Sequence, residues 1–150
     1  MKITKGWLLV VCLLLVMIVS CSSPPQNVLS VNLQDHKNLA LHIHPHLEIV
    51  INGEKQVIPA NIGITETGMR VMHTHDVSGG IHIESPETHQ FYLADFFDIW
   101  GKTFNGSCIL DSCVDSDHAL KVFVNGVEDS RLGAIPLHDQ DQIQILFMKI

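Results

Sequence analysis

Positive charge is scarce in this chain: nine lysines and arginines stand against sixteen aspartates and glutamates over 150 residues. That deficit argues against nucleic acid as a partner and against electrostatic docking on anionic lipid. Long apolar runs are missing too. The longest, Trp7 to Val19, has thirteen residues without a polar side chain, whereas a spanning helix needs about 20. Recognised catalytic patterns are largely absent. There is no HExxH, no G-x-S-x-G and no P-loop. No serine has a visible base beside it. Cysteine is limited to four residues, at positions 12, 21, 108 and 113.

What stands at the N-terminus points to export. Lys2 and Lys5 precede the thirteen-residue apolar run, which has the length of a signal-peptide core. The run ends at Ile18-Val19-Ser20-Cys21, which resembles the bacterial lipobox. That resemblance implies cleavage after residue 20 and acylation of Cys21, so residues 1–20 are expected to be a lipoprotein signal. The expected location is a lipid anchor in the cell membrane or the outer membrane, facing the periplasm or the exterior, with the acyl chains on Cys21 as the membrane contact. An uncleaved N-terminal anchor is the alternative, and it also places the rest of the chain outside the cytosol. Without Lys2 and Lys5 the formal charge becomes −9. Residues 21–38 (CSSPPQNVLSVNLQDHKN) are polar and proline-containing, and read as a flexible linker ahead of one domain, 39–150. With Cys12 in the signal and Cys21 acylated, Cys108 and Cys113 are left as an even pair in an oxidising compartment, where a disulfide is the default. A thiolate metal site is the other reading of that pair.

The domain mixes strand signals with one helix. Asn52-Gly53 lies between Leu47–Ile51 and the run starting at Glu54, the strongest short hairpin signal. Asn125-Gly126 repeats it after Val122-Phe123-Val124. Strands are predicted at 69–75 and 81–84, and a last one from Gln142 to Phe147. Leu93, Phe96, Phe97 and Trp100 recur at helical spacing, with Gly101 where a C-cap belongs. The stripe reads as core. The fold class predicted is α+β, a single domain with one short helix on a mainly antiparallel sheet. The last third, with Val-Asn-Gly, Ile-Pro-Leu, a polar turn and a final strand, resembles the tail of β-grasp domains. A β-sandwich is the competing architecture.

Histidine is what the chain has in excess. Of ten, seven lie between positions 42 and 89. Five of these seven fall in period-two runs, His42-Ile-His44-Pro-His46 and His73-Thr-His75, and His82 stands two before Glu84. On a strand, residues i and i+2 share a face. Each run therefore directs its imidazoles to one side. Neutral imidazole is the commonest ligand for zinc and copper, and three converging donors with an open position make an exchangeable or catalytic site. His44, His73 and His75 are the first ligand candidates, followed by His42, His46, His82 and Asp76, with Cu(II) or Zn(II) as the expected ion. Competing readings are a solvated surface, a pH-responsive face, or a hydrogen-bonded core role for His44 or His82. Pro45 marks its strand as an edge or a bulge.

The segments HIHPHLEIVING, IPANIGI, MHTHD, GGIHIESP, FYLADFFDIWG and VFVNG together resemble an uncharacterised set of short exported prokaryotic proteins and domains. The resemblance spans residues 42 to 147 and implies a coherent domain. It assigns no activity. HxH also marks cupins and metal-dependent amidohydrolases. The second group needs a barrel of about 250 residues. The first expects a glutamate soon after HxH, where this chain runs Asp76-Val77-Ser78-Gly79.

Three functions follow. The leading one is a membrane-tethered module that binds copper or zinc for capture, delivery or resistance. The second is a small metal-dependent oxidoreductase or hydrolase using the same histidines. The third is an interaction module without metal. A polar substrate pocket beside the histidines separates the second from the first. Convergence of the histidines separates both from the third.

Overall fold

A computed structural model describes residues 27–150. The expected signal, residues 1–20, and Cys21 lie outside the described residues. Twelve strands and one α-helix follow one another along the described chain. They are β1 (Leu41–Ile43), β2 (His46–Ile51), β3 (Glu54–Lys55), β4 (Ile64–Thr65), β5 (Gly68–Met69), β6 (Met72–His73), β7 (His82–Ser85), α1 (Leu93–Trp100), β8 (Cys108–Ile109), β9 (Ser112–Cys113), β10 (His118–Val124), β11 (Val127–Glu128) and β12 (Gln142–Lys149).

The larger sheet has the order β11-β10-β12-β2-β3. Both Asn-Gly hairpins form as expected. Asn52 and Gly53 take φ of 51° and 85°, and Asn125 and Gly126 take 52° and 82°, the left-handed pair that a two-residue hairpin turn requires. Between the hairpins, β12 pairs antiparallel with β10 and parallel with β2. That parallel pair is a departure from an all-antiparallel sheet. The last strand, β12, lies in the middle of that sheet, between β10 and β2. The fold is α+β, with one short helix and a mainly antiparallel large sheet.

One hydrophobic core serves the whole described chain. Leu47 and Ile49 of β2, Val122 of β10, and Ile143, Ile145 and Phe147 of β12 are buried together with Leu93, Phe96 and Phe97 of α1. The helical stripe read from sequence is therefore core, and Gly101 closes the helix at φ 70°. Each buried Leu, Ile or Phe side chain contributes about 1.5–3 kcal/mol. Cys108 and Cys113 face each other across β8 and β9 and are joined by a disulfide.

The domain starts earlier than the sequence suggested. The stretch 21–38 reads as a linker, but from residue 27 it packs. Val31 and Leu33 are buried in the core. Asn32 Oδ1 accepts the Met69 N–H at 3.1 Å, and its Nδ2 donates to the Thr67 carbonyl at 3.2 Å. Val28, Leu29, Val31 and Leu33 make too short an apolar alternation, set among polar residues and prolines, to mark an element, which is why the segment reads as tether.

The smaller sheet, β1-β7-β6, carries the histidines. Its register pairs His42 with Glu84, Ile43 with Ile83, Met72 with Ile83, and His73 with His82. Strand alternation thus separates an apolar row (Ile43, Ile83, Met72) from a row of imidazoles. Thr74, between His73 and His75, points the other way and is fully buried. Its Oγ1 donates to the Pro59 carbonyl at 2.8 Å and accepts the Ile62 N–H at 3.1 Å. The strand predicted over 69–75 is consequently broken, with only β5 and β6 in ladders.

Gly63 lets the 59–63 segment lie against β6. It has φ +71°, and a Cβ there would sit 2.3 Å from the Met72 carbonyl oxygen. Gly63→Ala is expected to lower stability by roughly 1–3 kcal/mol, read as a lower urea midpoint with unchanged m-value. An unchanged midpoint would mean that this approach is not needed.

Candidate metal centre

β7 is the middle strand of the small sheet, so His82 has neighbours on both sides. Towards β6, its ring centroid lies 5.3 Å from that of His73 and 4.5 Å from that of His75. Towards β1, it lies 4.6 Å from His44 and 6.4 Å from His42. His73 and His75 are 4.9 Å apart, and His42 and His44 are 4.6 Å apart. Five imidazoles form one continuous array centred on His82.

Two sets of three within it have metal-ligating geometry. In His73/His75/His82 and in His42/His44/His82, one ring nitrogen from each residue lies within 4.8 Å of the others. Tetrahedral zinc with Zn–N bonds of about 2.0–2.1 Å needs nitrogens about 3.3 Å apart.

Burial distinguishes the two sets. His73 is fully buried. Its Nδ1 lies 3.1 Å from the Arg70 carbonyl oxygen. A carbonyl only accepts, so Nδ1 carries the proton, and the lone pair of neutral His73 sits on Nε2. That nitrogen is buried and has no hydrogen-bond partner, and the same holds for His82 Nδ1. The nearest carboxylate oxygen to His82 Nδ1, on Glu84, is 3.8 Å away, beyond hydrogen-bond reach. A buried polar atom left unpaired costs about 1–3 kcal/mol. Two in one cluster of same-face imidazoles is the donor set that a transition metal takes. The outer set is more open, with His42 and His44 side chains 50% and 40% exposed.

Carboxylates surround the array without entering either set. Glu84 Oε1 lies 3.2 Å from His42 Nε2. Asp139 Oδ1 accepts the His44 backbone N–H at 2.8 Å and lies 3.7 Å from His44 Nδ1. Such partners orient ligating imidazoles. Burial pushes the pKa of His73 down, opposed in part by the Arg70 carbonyl and Glu84. Burial also lowers that of His82, with His75 and His44 adding to it. Both shifts favour the neutral, ligating form.

The sequence candidates divide accordingly. His73, His75, His82, His42 and His44 are brought together. The trio first expected, His44 with His73 and His75, is not one of the two sets. His82, opposite His73 on the middle strand, completes the pair, and His44 belongs to the outer set.

His46 leaves the array altogether. Pro45 ends the small-sheet segment, so His46 begins β2 in the large sheet. There it lines a cavity of about 400 Å³ with Glu48, Phe123, Gln142, Gln144 and Leu146. The period-two rule fails at the proline, where the chain changes sheets. Asp76 is in neither set of three. Its Oδ1 accepts the Ser78 N–H at 2.8 Å, and the Ser78 hydrogen bonds, with smaller contributions from His75 and His82, hold its carboxyl below the usual range. It shapes the turn leading to β7.

Away from the array, His118 pairs with Asp115 at 2.9 Å and His138 with Asp141 at 3.2 Å. Asp139 was missed from the sequence because it lies 95 residues from His44 and belongs to no motif. No protein-family model, curated protein or solved structure matches the chain.

Proposed function

We propose that this protein is a membrane-tethered, extracytoplasmic module that binds Cu(II) or Zn(II) through His73, His75 and His82, for metal capture or delivery. The observation that carries the metal reading is the buried, unpartnered Nε2 of His73, fixed as a lone pair by the hydrogen bond on Nδ1. His75 and His82 stand beside it as further imidazole donors. Three donors leave the fourth position of a tetrahedral ion open, as an exchanging site requires.

The full chain, purified in detergent without a polyhistidine tag, is expected to bind Zn(II) and Cu(II) in calorimetric titration. A His73→Ala/His75→Ala variant is expected to bind at least about 100-fold more weakly, since losing two direct donors costs more than the roughly 10–100-fold of losing an orienting partner. Equal affinity in the two proteins would end the assignment to His73, His75 and His82, and no binding in the wild type would end the metal reading.

The tether is tested separately. Cys21→Ser is expected to move the protein from the membrane fraction to the soluble one and to remove lipid mass. Unchanged fractionation, with no lipid on the wild-type Cys21, would sink it.

A further inference from the structure

The outer set, His42/His44/His82, shares its third member with the inner set, and the two differ in access. Building on the metal reading above, we infer that they are two alternative positions for a single ion, which enters at the outer set and rests at the inner one.

The sharing follows from the register. His82 stands on the middle strand, opposite His73 on β6, and next to His44 at the end of β1. A neutral imidazole has one lone pair, its other nitrogen carrying a proton. Filling both sets at once would require His82 to lose that proton and bridge. It would also place two dications among five imidazoles whose nearest carboxylate is Glu84. Like charges at such spacing in a partly buried site repel strongly. Occupancy of one set therefore excludes the other.

The direction follows from exposure. The outer set has two open donors, His42 and His44, each about half exposed, whereas the inner set has one exposed donor, His75, and one fully buried, His73. A hydrated ion finds more open imidazoles at the outer set. There Glu84 lies against His42 and Asp139 against His44, so the outer set also carries the negative charge that attracts a cation. Passage inward exchanges His42 and His44 for His75 and His73 and moves the ion from one ring nitrogen of His82 to the other. The N–H proton leaves the nitrogen that the ion takes up, and a proton from water returns to the nitrogen that it vacates, so the imidazole stays neutral. The inner position holds the ion more tightly because His73 Nε2 has no other partner and is already oriented by the Arg70 carbonyl.

Zn(II) titration of the full chain in detergent, with stopped-flow uptake from a chromophoric chelator, tests this. One ion per chain is expected in the wild type. His42→Ala/His44→Ala is expected to bind one ion, with uptake slowed at least tenfold and affinity lowered by a smaller factor. Because His73 is buried, His75→Ala is used beside His73→Ala/His75→Ala. Both are expected to bind one ion with weakened affinity and faster release. Two ions in the wild type would overturn the single-ion assignment. No binding in a folded His73→Ala/His75→Ala protein would overturn the outer position, and unchanged uptake in His42→Ala/His44→Ala would overturn its role as entrance. Failure of the wild type to bind any ion would instead remove the metal reading on which this rests.

Discussion

Zn(II) or Cu(II) at a hundred times its dissociation constant is expected to raise the melting temperature by about 10 °C, and His82→Ala is expected to abolish the rise. A ligand that binds only the folded state stabilises it by about 2.7 kcal/mol at that ratio. For a domain of this size each kcal/mol shifts the midpoint by roughly 3–5 °C. The unfolded chain holds the contributing residues at positions 42, 44, 73, 75 and 82. They become neighbours only when β1, β7 and β6 pair, so the folded-state preference is built into the topology. His82 is the informative substitution because it belongs to both sets of three. Its removal leaves two pairs of imidazoles and no trio among the described residues. The side chain is 31% exposed, so the metal-free variant is expected to fold. Its metal-free melting temperature is the control. A rise in His82→Ala equal to that of the wild type would show that the ion sits elsewhere.

The parts of this architecture that the sequence made legible are local. Asn52-Gly53 and Asn125-Gly126 need only their own backbone preference to form turns. The stripe from Leu93 to Trp100 needs only the helical period, and Gly101 ends it without help from elsewhere. His73 and His75 share a face because Thr74 is pulled the other way by Pro59 and Ile62, three residues behaving as an alternating strand. What stayed hidden depends on pairing between distant segments. Nothing in IHIESP distinguishes His82 from a solvated histidine until β7 is placed between β1 and β6. The array could also be overextended from sequence. His46 continues the spacing of His42 and His44, yet the chain changes sheets at Pro45 and carries it away. Val31 and Leu33 show the same limit, since the short run Val28-Leu29-Ser30-Val31-Asn32-Leu33 becomes core only through tertiary contact.

Acid is expected to weaken metal binding less steeply than three ordinary imidazoles would allow, and at the same time to destabilise the metal-free fold. Three unperturbed histidines of pKa about 6.5 would cost roughly 600-fold in affinity between pH 7 and pH 5.5, because each must lose a proton to bind. Burial holds His73 and His82 below that pKa, so each loses less of its neutral form over this interval than an ordinary imidazole, and the fall is expected to be short of 600-fold. The groups around them explain the balance. The Arg70 carbonyl and Glu84 favour the charged form of His73, while desolvation and the neighbouring His75 oppose it more. Around His82, His75, His44 and His42 add repulsion that Glu84 only partly offsets. The same depression acts on folding with a definite sign. The unfolded chain, with pKa values near 6.5, takes up these protons before the folded chain does. The contribution to stability is whole above about pH 6.5 and is lost as pH falls from there through the lower folded values. Carboxylates act in a different window. Asp129, held at about 2 by Arg131, loses its contribution only below about pH 4. Urea midpoints of metal-free protein at pH 7.5 and 5.5 isolate the histidine window, and His82→Gln is expected to reduce the difference between them. A metal-free midpoint that does not change between these two values, or a Zn(II) affinity that drops by the full 600-fold, would show that burial does not keep these two imidazoles neutral.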